Sequence, residues 1–137
     1  MKKLIIILYL LFSACGFGNE TMVLLEEEVK EVKVYRSGAV GTFSDQELMT
    51  FTKPESILII EGAIRSAVTR SETPGEETPD YDLIISYGDD FPLHPVHLWL
   101  GEVGEASYFM YLVEGDEFYI TSTEVTAELK TMLKREY

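Results

Sequence analysis

The chain is short of most of the features that mark a catalyst or a nucleic-acid binder. It has one cysteine in 137 residues, so no disulfide can form within it. It has two histidines and one tryptophan. Basic residues are scarce as well, with 11 Lys and Arg against 24 Asp and Glu and a formal charge of −13. A field of that sign repels phosphate backbones, which argues against nucleic acid as a partner. No apolar run reaches the ~20 residues that a membrane-crossing helix needs. Gly-rich phosphate loops and nucleophile-elbow patterns are both missing, so the sequence offers no cofactor motif and no serine hydrolase motif. The many carboxylates are no evidence for a glycosidase, because any acidic protein supplies pairs of them.

The length fits one domain, and 46% apolar residues is ordinary for a globular fold. All the acidic residues lie after Cys15, whereas Lys2 and Lys3 lie before it. The part of the chain after Cys15 is therefore more acidic than the whole. That charge keeps a surface solvated and leaves cationic partners open.

Residues 1–14 read as a signal peptide: Met1-Lys2-Lys3 is a basic start and Leu4 to Phe12 an apolar h-region. Ser13-Ala14-Cys15-Gly16 follows, and it resembles the lipobox of bacterial lipoproteins, with Phe12 where that pattern usually has leucine and Leu11 one place off. The resemblance implies cleavage before Cys15, lipid attachment to its thiol, and residence on the outer face of the cell membrane, anchored there by the lipid. Residues 15–28, ending in the charge run Glu26-Glu27-Glu28, read as the lipidated cysteine and a tether. The folded domain is then 29–137.

Within it, Val32 and Val34 alternate with Lys33 and Tyr35 as in a strand with one buried face, and Glu47 to Phe51 is a second strand. Thr52-Lys53-Pro54-Glu55 has the form of a capping box with Pro54 in the first turn. A helix follows, with Ile57, Ile60, Ile64, Ala67 and Val68 on its apolar stripe. The polar stretch Ser71 to Asp80 reads as a solvent-facing loop. Three strands come next, Tyr81 to Tyr87, Leu93 to Leu100 and Ala106 to Val113, then a short one at Glu117 to Ile120. Pro92 and Pro95 place the start of the second at an edge or in an irregular segment. The third is apolar on both faces, so it is either a central strand covered on both sides or an exposed aromatic surface. Thr121-Ser122-Thr123-Glu124 forms a second capping box, opening a helix with Val125, Leu129, Met132 and Leu133 on one side. The fold class is α+β: a mostly antiparallel sheet of about four to six strands, one helix inserted midway and one at the C-terminus packed on a face.

Pro79-Asp80-Tyr81 opening a strand, Leu98-Trp99-Leu100 in the next, and Phe118-Tyr119-Ile120-Thr121-Ser122 leading into a Leu-rich helix resemble the YhfM-like domain of exported and membrane-attached proteins of Gram-positive bacteria. The resemblance runs over roughly Val29 to Lys134 and includes the helix from Pro54 with Ala63 and Ala67. It implies an envelope domain and carries over no catalytic residue, cofactor or named partner.

Two clusters hold chemistry-bearing residues. His94 and His97, with Asp89 and Asp90 before them, have the ligand types for a divalent metal. Residues three apart on a regular strand face opposite ways, so one ion holds both histidines only if Pro95 breaks the strand. We therefore assign no metal site. Trp99, Tyr108, Tyr111 and Tyr119 either form an aromatic ligand face or fill the layer between sheet and helices. The functional expectation is a non-enzymatic lipoprotein that binds an envelope protein or ligand. Its alternatives are an extracytoplasmic sensor or small-ligand module using the aromatic face and the Ser71 to Asp80 loop, and a small hydrolase.

Overall fold

The computed structural model describes residues 20–75, 77–113 and 116–134. The signal peptide, Cys15 and the Glu114-Gly115 turn lie outside the described residues. Seven strands form one sheet: β1 (Glu31–Arg36), β2 (Glu47–Phe51), β3 (Val68–Thr69), β4 (Tyr81–Ser86), β5 (His94–Trp99), β6 (Tyr108–Tyr111) and β7 (Tyr119–Ile120). Their spatial order is β2-β1-β4-β5-β6-β7-β3, and every neighbouring pair is antiparallel. Helix α1 (Pro54–Ser66) follows β2, and α2 (Thr123–Lys134) closes the described chain. The class is the α+β one read from the sequence, with seven strands in place of four to six. The extra strand is β3, two residues that the helical spacing of Ala67 and Val68 had assigned to the end of α1.

Alternation within the strands gives the sheet two unlike faces. Val32 and Val34 of β1, Leu83 and Ile85 of β4, Val96 and Leu98 of β5 and Phe109 of β6 join Ile57, Ile60 and Ile64 of α1 and Leu129, Met132 and Leu133 of α2 in one core. Both helices therefore lie on that face. The apolar stripes follow the predicted spacing through Ile57, Ile60 and Ile64 of α1 and Leu129, Met132 and Leu133 of α2, whereas Ala67 is the C-cap of α1, Val68 belongs to β3, and the N-caps differ. Lys53 is the N-cap of α1 and makes no side-chain cap bond, because its ammonium has no acceptor to offer, and Pro54 at the helix start fixes the backbone there. On α2 the hydroxyl of Ser122 accepts from Val125 N at 3.3 Å, while Thr121 is buried and bonded to Ser107. The second cap is thus one residue later than predicted.

Pro95 is also placed differently. It sits inside β5, between β4 and β6, and pairs with Ile84. The β5–β6 ladder starts only at Val96, and the Pro95 carbonyl accepts from Leu112 N at the ladder's end. Its nitrogen faces the same way, toward Leu112 just past the last ladder pair, so the donor that proline lacks falls at the end of the ladder and not within it. At the other end of β5, Gly101 turns the chain at φ +73°, and a Cβ there would come within 2.8 Å of the Ala106 carbonyl oxygen.

Residues 20–25, expected in the tether, are built into the domain. Thr21 bridges Val68, Thr69 N donates to the Glu20 carbonyl, and Met22 N donates to the Ala67 carbonyl. Met22 and Leu24 are core residues. The Tyr111 hydroxyl bonds both backbone groups of Val23, and Arg65 donates to the Leu25 carbonyl at 2.8 Å. The reason is the sheet edge: β3 is two residues long and needs a partner beyond β7, and the alternation of Met22 and Leu24 with Thr21, Val23 and Leu25 fits that place.

Candidate functional site

The face of the sheet turned away from the helices holds the residues of interest, arranged in successive rows. In the first rows, Glu31 pairs with Ser86, and Lys33 pairs with Ile84, itself opposite Pro95. In the next, Tyr35 pairs with Asp82 and Asp82 with His97, and His97 lies opposite Met110. Trp99 and Tyr108 form the row beyond. The β1–β2 connection, residues 37–46, folds over the middle row.

That middle row is a sealed polar pair. His97 and Asp82 are both fully buried, and His97 Nδ1 lies 2.6 Å from Asp82 Oδ1. Gly41 N donates to His97 Nε2 at 3.0 Å. Since Nε2 accepts, the ring proton is on Nδ1 and is donated to Asp82. Asp82 Oδ2 and the Ser37 hydroxyl are buried with no hydrogen-bond partner. Asp82 lies on the sheet face turned away from the helices and is dry because the loop covers it.

On one side of the loop lies a hollow of about 550 Å³. Ile84, Pro95 and Leu112 form its base, Tyr35, Phe43, Leu93 and Val113 its sides, and Glu31, Lys33 and Ser86 its polar end. Phe43 packs edge-on against Tyr35, with ring centroids 4.8 Å apart. Phe43 is nevertheless 48% exposed, Leu93 56% and Val113 62%. Large apolar side chains standing open around one depression are what a ligand groove presents. Lys33 Nζ reaches Glu31 only at 3.7 Å.

A second hollow, of about 580 Å³, lies where Trp99 and Tyr108 meet Thr73, Glu77, Glu102, Glu105 and Lys130 of α2. Its polar groups are largely taken. The Trp99 indole donates to the Glu77 carbonyl at 2.9 Å, and Lys130 donates to the Gly101 carbonyl at 2.7 Å and to Glu102. The 71–80 loop thus covers Trp99, which is buried.

The four aromatic candidates do not form one face. Trp99 and Tyr108 are cross-strand neighbours on the helix-free side, and Phe118 packs against both. Tyr111 and Tyr119 pack against each other at 5.6 Å on the helix side, where Tyr119 belongs to the core and Tyr111 holds Val23. Three of the four have structural work, and burial raises the phenol pKa of Tyr108 and Tyr119. The groove residues Phe43, Leu93, Leu112 and Val113 were not singled out, since only the folded loop brings Phe43 to them.

His94 and His97 point to opposite faces. The Tyr87 hydroxyl is hydrogen-bonded to His94 Nδ1 at 2.8 Å and accepts from Leu25 N at 3.1 Å, so His94 belongs to the clip on residues 20–25. Among the described residues, no group of three or more His, Cys, Asp or Glu is placed to hold a metal ion. Burial lowers the His94 pKa below its ordinary value. The unfolded chain then binds the extra proton more readily, so this contribution is complete above the unfolded value of ~6.5 and is lost as the pH falls below it. The urea midpoint is expected to drop between about pH 7 and pH 5, with part of that drop absent in His94→Gln.

No family model matches the chain, and no curated protein does. Among solved structures it is similar to a thioesterase-like protein from Clostridium sporogenes, with a TM-score of 0.54 and 13% identity over 76% of this chain and 93% of that one. At that identity the likeness is one of fold. Among the described residues, no helix is long and apolar enough to cross a membrane.

Proposed function

We propose that the protein is a lipid-anchored, extracytoplasmic binding module, non-enzymatic, whose site is the groove on the helix-free face of the sheet. The observation that carries this is the ring of exposed Phe43, Leu93 and Val113 around a hollow based on Ile84, Pro95 and Leu112. Its size falls within the range of ~300–1,000 Å³ occupied by small-molecule sites. The ligand class that suits it is a small molecule with an apolar body and one polar end, the body over Ile84 and Leu112 and the end at Lys33, Glu31 and Ser86. The anchor rests on the basic and apolar leader before Cys15.

A small hydrolase is the second reading, favoured by the Asp82–His97 pair and by the name of the thioesterase-like structural neighbour. The position of the pair weighs against it. A general base must reach the proton it removes, and His97 Nε2 is buried and already holds the Gly41 N–H.

Two variants test the proposal. Cys15→Ala is expected to leave the membrane fraction and to lack the lipid mass at its amino terminus. Retention of that variant in the membrane at full precursor length would replace the lipid anchor with an uncleaved leader. Leu93→Asp, at an exposed position, is expected to keep the fold and weaken the fluorescent apolar probe N-phenyl-1-naphthylamine about tenfold, as one buried side chain would. Unchanged affinity in Leu93→Asp would remove the groove as the site. Release of thiol from an acyl-thioester, abolished in His97→Gln, would favour the hydrolase.

A further inference from the structure

We propose that His97 is an acid-sensitive latch on the groove, so that its protonation frees the 37–46 loop and loosens the ligand. The inference rests on the groove being the binding site, and it concerns how that site is regulated. One loop supplies both parts. Gly41 is tied to His97 Nε2 at 3.0 Å, and two residues on, Phe43 forms a side of the groove. Tyr35 supports Phe43 from β1. At neutral pH the imidazole satisfies both neighbours, donating to Asp82 and accepting from Gly41. A second ring proton goes on Nε2, where it meets the Gly41 N–H. Two donors then face each other in a buried place, and the loop loses its tie to the sheet.

Few other groups act on this ring. From β4 the carboxylate of Asp82 faces it, from β1 the phenol of Tyr35 stands opposite Asp82, from β6 Met110 is its cross-strand partner, and on β5 Trp99 lies 5.9 Å away. Asp82 holds the added charge on Nδ1 and so keeps the ring in place while the Nε2 side lets go. The released loop also uncovers Asp82 Oδ2, which has no partner when the loop is closed.

The test uses the mature protein and the uncharged probe N-phenyl-1-naphthylamine. As the pH is lowered from neutrality, probe affinity is expected to fall about tenfold, the equivalent of one lost hydrogen bond. The emission of Trp99, the only tryptophan, is expected to shift over the same range. His97→Gln keeps a donor for Asp82 and an acceptor for Gly41 but does not titrate, so its affinity and emission are expected to stay flat. His94→Gln is expected to follow the native protein. Identical pH profiles in the native protein and His97→Gln would overturn the latch. If the probe fails to bind at any pH, the groove reading fails on its own, and Gly41 amide exchange in the native protein still decides the latch. Exchange at Gly41 must speed up as His97 takes its proton, beyond the change at amides of β4; no such difference refutes the proposal.

Discussion

Leu24→Ala lowers the stability of the mature protein by about 2–5 kcal/mol, the usual cost of a buried leucine, whereas Val23→Ala stays within roughly 0.5 kcal/mol. The two positions are adjacent and chemically alike. Leu24 is 2% exposed and Val23 68%, so the contrast isolates burial. A tether would show no cost at either position. The backbone bonds to Tyr87, Arg65 and Tyr111 hold this strip in register, and the Leu24 side chain fills the core beneath it. Truncation at Leu24 thus opens a cavity that a fixed backbone cannot collapse to fill. Urea denaturation of both variants, with unchanged slope, is the measurement that checks it.

Asp82→Ala is the second large effect, at about 3 kcal/mol, because it leaves the His97 Nδ1 proton buried without an acceptor. Both partners are fully buried and 2.6 Å apart, so water cannot replace the carboxylate without opening the loop. Asp82→Asn keeps an acceptor for that proton and is expected to lose less than half as much. The difference between the two variants, read from denaturation midpoints, assigns the cost to the orphaned proton and not to lost volume. Equal losses would mean that the carboxylate charge, and not the acceptor, is what the pair requires.

Much of the scaffold was legible because it rests on periodicity. The Ile57, Ile60 and Ile64 stripe, the alternation in β1 and β4 and the bounds of β2 follow directly from spacing, and the core confirms them. What escaped depends on neighbours that spacing does not reveal. Two-residue β3 carries no period of its own and exists because Thr21 and β7 flank it. Asp82 alternates like a solvent-facing residue and is dry only through a loop that starts 45 positions away in sequence from the residue it covers, as the register of β1 on β4 dictates. Trp99, Tyr108, Tyr111 and Tyr119 are correctly placed in the sheet, yet two look toward the helices and two away. Their residue types mark packing as readily as binding. The groove was least legible, since it needs Phe43 from a loop, Leu93 from before β5 and Val113 from after β6.

The groove can be tested at the level of single residues. Amide and methyl shifts of the isotope-labelled mature protein would be followed while dodecanoate, and separately dodecyltrimethylammonium, is added below its micelle concentration. The account predicts saturable shifts centred on Ile84, Leu93, Leu112 and Val113 for both probes, with Lys33 responding to the anion and Glu31 to the cation. Shifts centred on Trp99 and Tyr108, or none that saturate, would contradict it.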